Sequence, residues 1–445
     1  MSSDTIAAIA TAAGVGSISI LRLSGEEALQ ISKKLLNKNL EPRVATLSSI
    51  KNSQNSLIDQ AIAIYFKAPL SFTGEDIVEF QCHGGSIVAD MVLQELLLNG
   101  ARLATAGEFS KRAFFNGKID LSEAEAISQL IEAKSEDAVK ILATQMKGDL
   151  KVQIELLRDQ LLEILAYSEV SIDYAEEDLP QDLIESMSKK LDTITNKLNS
   201  ALISSESRRG LMQGFRVSII GKPNVGKSSL LNSLLKYERA IVSDIAGTTR
   251  DTIEEQLRVG THLIRIVDTA GIREGEDEIE RIGIERSIDS IEQSDIVIAL
   301  FDNSRESDNE DSAILELVKK YEDKKDFITI LSKCDLESKF NKELLDTPLS
   351  LNVKEGSDEL IYILKNIMDS KNISDEIMLI SSRQIEAVKS AVKAIAEAKV
   401  PLMDQELEFL SFHLNSAINE ISSITRPFEN DEMLDKMFGS FCLGK

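Results

Sequence analysis

The chain has 445 residues, with 74 Asp and Glu against 50 Lys and Arg and a formal net charge of −24. This balance excludes unaided binding of nucleic acid over most of the surface, because an acidic protein repels a phosphate backbone. No apolar run approaches the roughly 18 residues of a membrane span, the start of the chain lacks the basic residues of a secretory signal, and the cysteines lie far apart. We therefore expect a cytoplasmic protein of two or three domains without membrane contact.

Residues 1–118 mix short β-patterned runs with apolar helical runs, which predicts an α+β domain. The pattern changes after residue 118, where we place a domain boundary. The predicted strands are Ser17–Leu23, Gln60–Phe66 and Ile77–Cys82, and the predicted helices are Glu26–Leu36 and Ile87–Leu98.

Residues 119–212 and 373–445 have helical periodicity, and residues 213–372 between them alternate strands with helices. The alternation predicts a doubly wound, mainly parallel sheet, and its position indicates an α/β domain inserted into an all-helical one. Apolar residues recur at helical spacing at Ile154, Leu157, Leu161 and Ile164, and again at Ile385, Val388, Val392 and Ile395.

The segment Gly221–Ser228 reads G-K-P-N-V-G-K-S, between the predicted strand Phe215–Ile220 and the helical run Ser229–Leu235. Glycines in such a loop let backbone N–H groups surround a phosphate, Lys227 can reach its outer oxygens, and Ser228 can offer a hydroxyl to Mg²⁺. The alternative is a glycine-rich turn without a ligand, which the strand–loop–helix order disfavours. The motif predicts that the chain binds a nucleoside triphosphate.

Two later motifs contain residues that can bind the metal ion and the γ-phosphate of the nucleotide. Asp244–Asp251 reads D-I-A-G-T-T-R-D and is typical of a mobile loop that covers both. The predicted strand Leu263–Val267 ends in D-T-A-G, where Asp268 can hold the metal through water and Gly271 can donate its N–H to the γ-phosphate.

A fourth motif indicates guanine. The predicted strand Phe327–Leu331 runs into S-K-C-D at residues 332–335, which resembles the N-K-x-D motif of GTPases. Asp335 can accept from two nitrogens that only guanine presents as donors. Ser332 stands where asparagine is usual, so we expect one altered base contact and a lower guanine affinity. At Leu349–Asn352 only Ser350 matches the base-supporting S-A-K loop of GTPases.

A water-orienting glutamine is missing. Many GTPases have one directly after D-T-A-G, where this chain has Ile272. The charged stretch Arg273–Arg286 could supply a carboxylate instead, although such charge runs are usually solvated helix faces.

The whole chain resembles the MnmE family, also called TrmE, of bacterial GTPases that modify the wobble uridine of certain tRNAs. The resemblance rests on T-I-A-A-I-A-T (5–11), S-F-T-G-E-D-I-V-E-F-Q-C-H-G-G (71–85), G-E-F-S-K-R-A-F-F-N-G-K-I-D-L-S-E-A-E-A (107–126), E-R-I-G-I-E-R (280–286) and F-C-L-G-K (441–445).

This resemblance implies an N-terminal domain that dimerises and binds 5,10-methylene- or 5-formyl-tetrahydrofolate. Matching motifs assign folate contact to Arg22, Glu79 and Lys118, with Lys445 nearby. Without the family, Arg22 and Glu79 could equally be an ion pair in a sheet. Cys442 is implied to lie at the folate site with a role in chemistry, although a lone cysteine near a terminus is more often inert.

The resemblance also implies a Ras-like GTPase domain activated by K⁺-dependent dimerisation. Asn224, Ser243, the Ile245 carbonyl and Thr248 would bind K⁺, Ser228 and Thr249 would bind Mg²⁺, and Glu280 would supply the carboxylate missing at Ile272. The expected GTP-lining residues are Asn224, Val225, Gly226, Lys227, Ser228, Ser229, Ser243, Asp244, Ile245, Ala246, Gly247, Thr248, Thr249, Asp268, Thr269, Ala270, Gly271, Ser332, Lys333 and Asp335.

The implied reaction adds a carboxymethylaminomethyl or aminomethyl group to C5 of the wobble uridine, together with an FAD-binding partner, MnmG, in a heterotetramer. Folate would supply the carbon and glycine or ammonium the amine. Two alternatives remain open. One is a ribosome-assembly GTPase of the Era or Der type, and the other is a structural dimer with a vestigial folate pocket.

Overall fold

A computed structural model describes residues 4–133, 135–173, 180–237, 255–267, 280–345, 348–352, 358–371, 377–426, 431–441 and 444. The chain forms two compact units. The first comprises Met1–Ile131, Ala143–Leu198 and Ser381–Lys445, and the second comprises Glu132–Leu142 and Asn199–Ile380. Because the second unit lies between segments of the first along the chain, the α/β domain is inserted, as the flanking helical periodicity predicted.

The N-terminal part of the first unit is a six-stranded sheet with its first two helices on one face and its third helix packed against the other. The strand order is β3-β4-β5-β2-β1-β6, antiparallel except for the β1–β6 pair. The elements are β1 (Ile6–Ile9), β2 (Ile18–Ser24), α1 (Ala28–Leu36), β3 (Thr46–Lys51), β4 (Leu57–Phe66), β5 (Ile77–His83), α2 (Ser86–Leu98), β6 (Arg102–Leu103) and α3 (Glu108–Phe115).

Alternation along these strands divides the residues between the two faces of the sheet. Leu21 and Leu23 of β2 and Phe80 of β5 are buried with residues of α1 and α2. Since neighbouring side chains on a strand point to opposite faces, Arg22 and Glu79 lie on the other face, opposite each other in the β2–β5 register. This register positions the N-terminal site described below.

The helical part of the first unit is built from segments on both sides of the insertion. Helix α6 (Asp149–Asp173) packs against α14 (Leu407–Ser422), and α14 packs against α13 (Ser382–Asp404). Before the insertion, the helices of the first unit are α4 (Leu121–Glu132), α6 and most of α7 (Gln181–Ser207), and after it they are α13, α14 and α15 (Asp431–Gly439). Most of α5 (Glu136–Gln145), the end of α7 and all of α8 (Arg209–Gln213) belong to the second unit. None of the helices in the described ranges is long and apolar enough to cross a bilayer.

The second unit contains a six-stranded sheet of order β12-β11-β10-β7-β9-β8, parallel except for the β8–β9 hairpin. All seven residues of β10 are buried, because helices cover both faces of the central strands. The elements are β7 (Phe215–Ile220), α9 (Lys227–Tyr237), β8 (Glu255–Val259), β9 (His262–Ile266), α10 (Glu280–Gln293), β10 (Ile296–Asp302), α11 (Asn309–Tyr321), β11 (Asp326–Ser332), β12 (Leu349–Ser350) and α12 (Asp358–Ser370).

The helical periodicity predicts burial better before the insertion than after it. Ile154, Leu157, Leu161 and Ile164 of α6 are at most 1% exposed. In α13, Val388 and Ile395 are buried but Ile385 and Val392 are only half-buried. The buried face of α13 is completed by small residues such as Ala391, which a stripe of large apolar residues does not reveal.

Candidate functional site

The loop between β7 and α9 has the backbone of an anion-binding site. Gly221, Asn224 and Gly226 have φ values of +151°, +64° and +105°. A Cβ at residue 221 would lie 2.5 Å from the carbonyl oxygen of Leu300, so only glycine fits there. Residues with positive φ in a loop that leads into a helix can turn backbone N–H groups toward one point, where a phosphate can bind.

Lys227 is the first residue of α9, and its ammonium group lies inside this loop. Its Nζ donates to the carbonyl oxygens of Gly221 at 2.5 Å and Lys222 at 2.8 Å. Burial lowers the pKa of Lys227. Phosphate oxygens could replace these two carbonyls as acceptors, which would give the ammonium a charged partner in place of neutral ones.

The other lysine of the loop is held away from the phosphate position. Lys222 Nζ contacts one carboxylate oxygen each of Asp308 and Asp311, both at 2.7 Å. Asp308 also caps α11 by accepting from the N–H groups of Glu310 and Asp311. Lys222 therefore ties the loop to the start of α11 and leaves phosphate contact to Lys227.

The end of β11 reaches the same loop. Ser332 Oγ donates toward the carbonyl oxygen of Val225 at 2.6 Å and that of Phe301 at 3.0 Å. Lys333 has a φ of +56°, and its Nζ donates to the Asn224 carbonyl at 2.8 Å and to a carboxylate oxygen of Asp302 at 2.6 Å. The carboxyl ends of three parallel strands, β7, β10 and β11, thus meet at the loop, where ligands bind in open α/β sheets.

Asp302 at the end of β10 was not predicted from the sequence. Burial by itself raises its pKa, but hydrogen bonds from Lys333 and Ser304 outweigh this effect and lower the pKa overall. Its signal in the sequence is an acidic residue ending a run of six apolar ones, I-V-I-A-L-F-D. The carboxylate fixes the Lys333 side chain that crosses to the loop.

The first unit contains a second group of predicted site residues. Arg22 pairs with Glu79 at 2.8 Å, and its guanidinium carbon lies 5.6 Å and 5.7 Å from the ring centroids of Phe72 and Phe109. The Arg22 and Glu79 side chains are 20% and 17% exposed, so a ligand can still reach them. Phe109 is 0% exposed, so its ring supports the guanidinium from inside the protein, whereas Phe72 is only partly buried. The sequence did not single out either ring.

The end of the chain lies beside Arg22. Arg22 Nη1 donates to the Gly444 carbonyl at 3.5 Å, across 422 residues. Gly444 has a φ of +94°, and a Cβ there would lie 2.5 Å from the Ile9 carbonyl oxygen at the end of β1. Glycine is therefore required for this residue to lie against β1.

Helix α3 links Phe109 to a set of ion pairs. The Arg112 guanidinium contacts the carboxylates of Asp4, Glu75 and Glu108 at 3.0 to 3.1 Å. Glu108 lies one helical turn before Arg112, but Asp4 and Glu75 are 108 and 37 residues away, so no local motif indicates these two contacts. They hold α3 in position, and α3 in turn places Phe109 beside Arg22.

The sequence matches two family profiles, described as GTP-binding protein TrmE N-terminus over residues 5–118 and MnmE helical domain over residues 121–442. Curated proteins named tRNA modification GTPase MnmE match the full length. The one from Sulfurimonas denitrificans is 66% identical over 446 residues, with 100% of both chains covered. Those from Sulfurovum sp. and Aliarcobacter butzleri are 61% and 58% identical, with 99% of each chain covered. This chain belongs to the MnmE family.

Several residues that the MnmE resemblance implied lie outside the described ranges: Ser243, Asp244, Ile245, Ala246, Gly247, Thr248, Thr249, Asp268, Thr269, Ala270, Gly271, Cys442 and Lys445. Glu280 begins α10, but its side chain is not described. Their roles stay predictions.

The remaining residues that the MnmE resemblance implied lie within the described ranges. Asn224, Ser228 and Ser229 are exposed in the loop and the first turn of α9, and Asp335 is exposed just beyond the end of β11. Lys118 is exposed and lies beside Gly74, and in the described ranges no hydrogen bond or ion pair joins it to Arg22 or Glu79. Cys82 lies on the buried face of β5, where burial raises the pKa of its thiol to about 12 and so disfavours the thiolate form.

Proposed function

We propose that this MnmE-family GTPase hydrolyses GTP as part of the modification of wobble uridine in tRNA. The observation that carries the proposal is the loop Gly221–Ser228, whose lysine and backbone suit a triphosphate and whose neighbouring strand ends near the exposed Asp335. In hydrolysis, the oxygen of water bonds to the γ-phosphorus as the bond to the β,γ-bridging oxygen breaks. Lys227 would stabilise the charge on the transferred group.

Magnesium fits this site. Ser228 is an exposed hydroxyl residue in the first turn of α9, next to the lysine that faces the phosphate position. Together with Thr249 it would hold Mg²⁺, which when bound neutralises charge on the phosphate oxygens. Turnover of GTP by the full chain with Mg²⁺, compared with ATP at equal concentration, tests this proposal. Equal turnover of both nucleotides would contradict the assignment of Asp335 to guanine.

Potassium is proposed at the same loop. Asn224 is exposed in the phosphate-binding loop, with a φ of +64°, and its side-chain amide oxygen would be one ligand of the cation. Ser243, the Ile245 carbonyl and Thr248 would complete the ligand set, and Glu280 would orient the attacking water. A positive charge at this position contributes about 10³–10⁵ in rate when an arginine supplies it. Two GTPase domains would pair around the bound ion in a homodimer.

Exchange of KCl for NaCl at equal ionic strength tests the potassium site. We expect turnover to fall sharply in Na⁺ and to depend on protein concentration in K⁺. Asn224→Ala should turn over GTP at the same low rate in both salts, while Glu280→Ala should be slow in both. Equal turnover by the unaltered chain in KCl and NaCl would rule the site out.

Folate is proposed at Arg22. The Arg22–Glu79 pair can bind the polar edge or glutamate tail of 5-formyl- or 5,10-methylene-tetrahydrofolate. The partly exposed Phe72 would pack on the ring system of the ligand, while the buried Phe109 supports Arg22 from below. Lys118, Lys445 and Cys442 are proposed to lie around the same ligand. Binding of 5-formyl-tetrahydrofolate to the full chain, measured by calorimetry, tests the site. No binding would favour a vestigial pocket.

We further propose an FAD-dependent partner of the MnmG type. The net charge of −24 supports this division of work, since a partner could supply most of the contact with tRNA. Mass analysis of wobble uridines in cells lacking this chain is the decisive experiment. Loss of the aminomethyl-type group is expected, and unchanged nucleosides would refute the proposal.

A further inference from the structure

The base-recognition segment and the phosphate-binding loop are joined through two successive carbonyl groups. Lys333 Nζ holds the carbonyl oxygen of Asn224, and Ser332 Oγ holds that of Val225. Both contacts run from residues of the S-K-C-D motif to residues of the G-K-P-N-V-G-K-S motif, more than 100 residues apart in the chain.

Ser332 is in no position to contact a base. The residue is 0% exposed, and its hydroxyl has two neighbours, the carbonyl oxygens of Val225 and Phe301. Because both are acceptors, the single hydroxyl proton is used inside the protein. A nucleotide that docks on a preformed surface contacts accessible atoms. Asp335 is the exposed residue of this motif, whereas the ammonium group of the partly exposed Lys333 is held by the Asn224 carbonyl and Asp302.

The hydrogen bond from Ser332 to the Val225 carbonyl instead affects the part of the loop that binds phosphate. In a planar trans peptide, a C=O group and the following N–H group point in opposite directions. Holding the Val225 carbonyl therefore directs the N–H of Gly226 to the opposite side, and Lys333 does the same for the N–H of Val225 by holding the Asn224 carbonyl. These are N–H groups that a phosphate-binding loop presents to its ligand.

We propose that Ser332 is a positioning residue for phosphate binding and that this GTPase selects guanine without reading its N7 edge. An asparagine at this position could donate to N7 or O6, the acceptors of guanine. Ser332 keeps the link to the loop and makes no base contact, so selection falls on Asp335. This inference rests on the proposed GTPase function and adds the origin of its base specificity.

The first test uses the unaltered full chain and competition binding with GTP, 7-deaza-GTP and ITP. We expect 7-deaza-GTP, which lacks the N7 acceptor, to bind within about twofold of GTP. ITP lacks the 2-amino donor for Asp335 and should bind about tenfold or more weakly. A tenfold loss with 7-deaza-GTP overturns the inference. No binding of GTP overturns the proposed function itself.

The second test is Ser332→Ala. We expect affinity for GTP, GDP and 7-deaza-GTP to fall by the same factor, about tenfold, because a phosphate-side defect does not depend on the base. The ratio of GTP to ITP affinity should stay unchanged, and Ser332→Thr, which keeps the hydroxyl, should bind GTP more tightly than Ser332→Ala.

Ser294→Ala is the matched control. Ser294 is also 0% exposed, and its hydroxyl donates to the Ser290 carbonyl one helical turn earlier. This control should bind GTP normally. Unchanged GTP affinity in Ser332→Ala, or a loss confined to GTP and spared with 7-deaza-GTP, would overturn the positioning role.

Discussion

The phosphate-binding loop and the Arg22 site are built in different ways. Lys227 contacts carbonyls five and six residues before it, so the loop is largely a local structure. Arg22 contacts Glu79 across 57 residues and Gly444 across 422. A local site is recognisable as a motif, although here the distant residues Ser332 and Lys333 also hold two carbonyls of the loop. A site assembled from remote segments exists only when those segments fold together, so it should be the more sensitive of the two to distant changes.

The largest effect is expected at the local site. Lys227→Ala removes the ammonium that lies in the loop, so GTP affinity should fall about a hundredfold, as for the loss of hydrogen bonds to a charged group. Binding of 5-formyl-tetrahydrofolate should not change. The control is Lys236→Ala, in the last turn of the same helix. Equal losses of GTP affinity in both variants would contradict the role of Lys227.

Arg22→Gln should weaken binding of 5-formyl-tetrahydrofolate about tenfold, since it removes a charge-assisted pair and leaves Glu79 half-buried without its partner. GTP turnover without tRNA should stay the same, which calorimetry and phosphate release can measure side by side. Unimpaired folate binding would mean that the Arg22–Glu79 pair stabilises the sheet and does not contact folate.

Gly444→Ala tests the remote assembly directly. The added Cβ would meet the Ile9 carbonyl and move the end of the chain away from Arg22, so we expect folate affinity to fall about threefold to fivefold. Gly117→Ala is the control, because Gly117 also has a positive φ, +66°, but nothing lies within 4 Å of its Cβ position. If the two variants bind folate equally, contact at residue 444 does not matter.

The smallest expected effect is a change in the stability of the fold at low pH, through Glu108. Burial by itself raises the pKa of Glu108, but hydrogen bonds from Arg102, the Thr105 N–H and Arg112 lower it to about 2. A carboxylate with a lowered pKa stabilises the fold above its unfolded pKa, near 4.5, and loses this effect as pH falls toward 2. The difference in denaturation midpoint between the unaltered chain and Glu108→Gln should therefore shrink from pH 6 to pH 2.5. A difference independent of pH would show that charge at Glu108 is not the cause.

Secondary structure was predictable wherever periodicity was strong. The strand Phe215–Ile220 was predicted with its observed bounds, and β2, β4 and β5 begin or end within a few residues of their predicted positions. Strands β1, β3 and β6 of the N-terminal sheet were missed. β1 and β6 have only four and two residues, and β3 (T-L-S-S-I-K) has only two apolar residues, so none of them carries a clear pattern. The paired Arg22 and Glu79 were named only through a family resemblance, since their contact depends on strand register.

The sequence by itself determined the phosphate-binding loop, the order of motifs around it and the insertion of the α/β domain, because each depends on neighbouring residues or on regular spacing. Tertiary structure alone decided that Ser332 faces Val225, that Lys222 is held by Asp308 and Asp311, and that Gly444 lies against β1. These contacts join segments separated by long stretches of chain. Their formation depends on how strands and helices pack, which local residue order does not encode in a readable form.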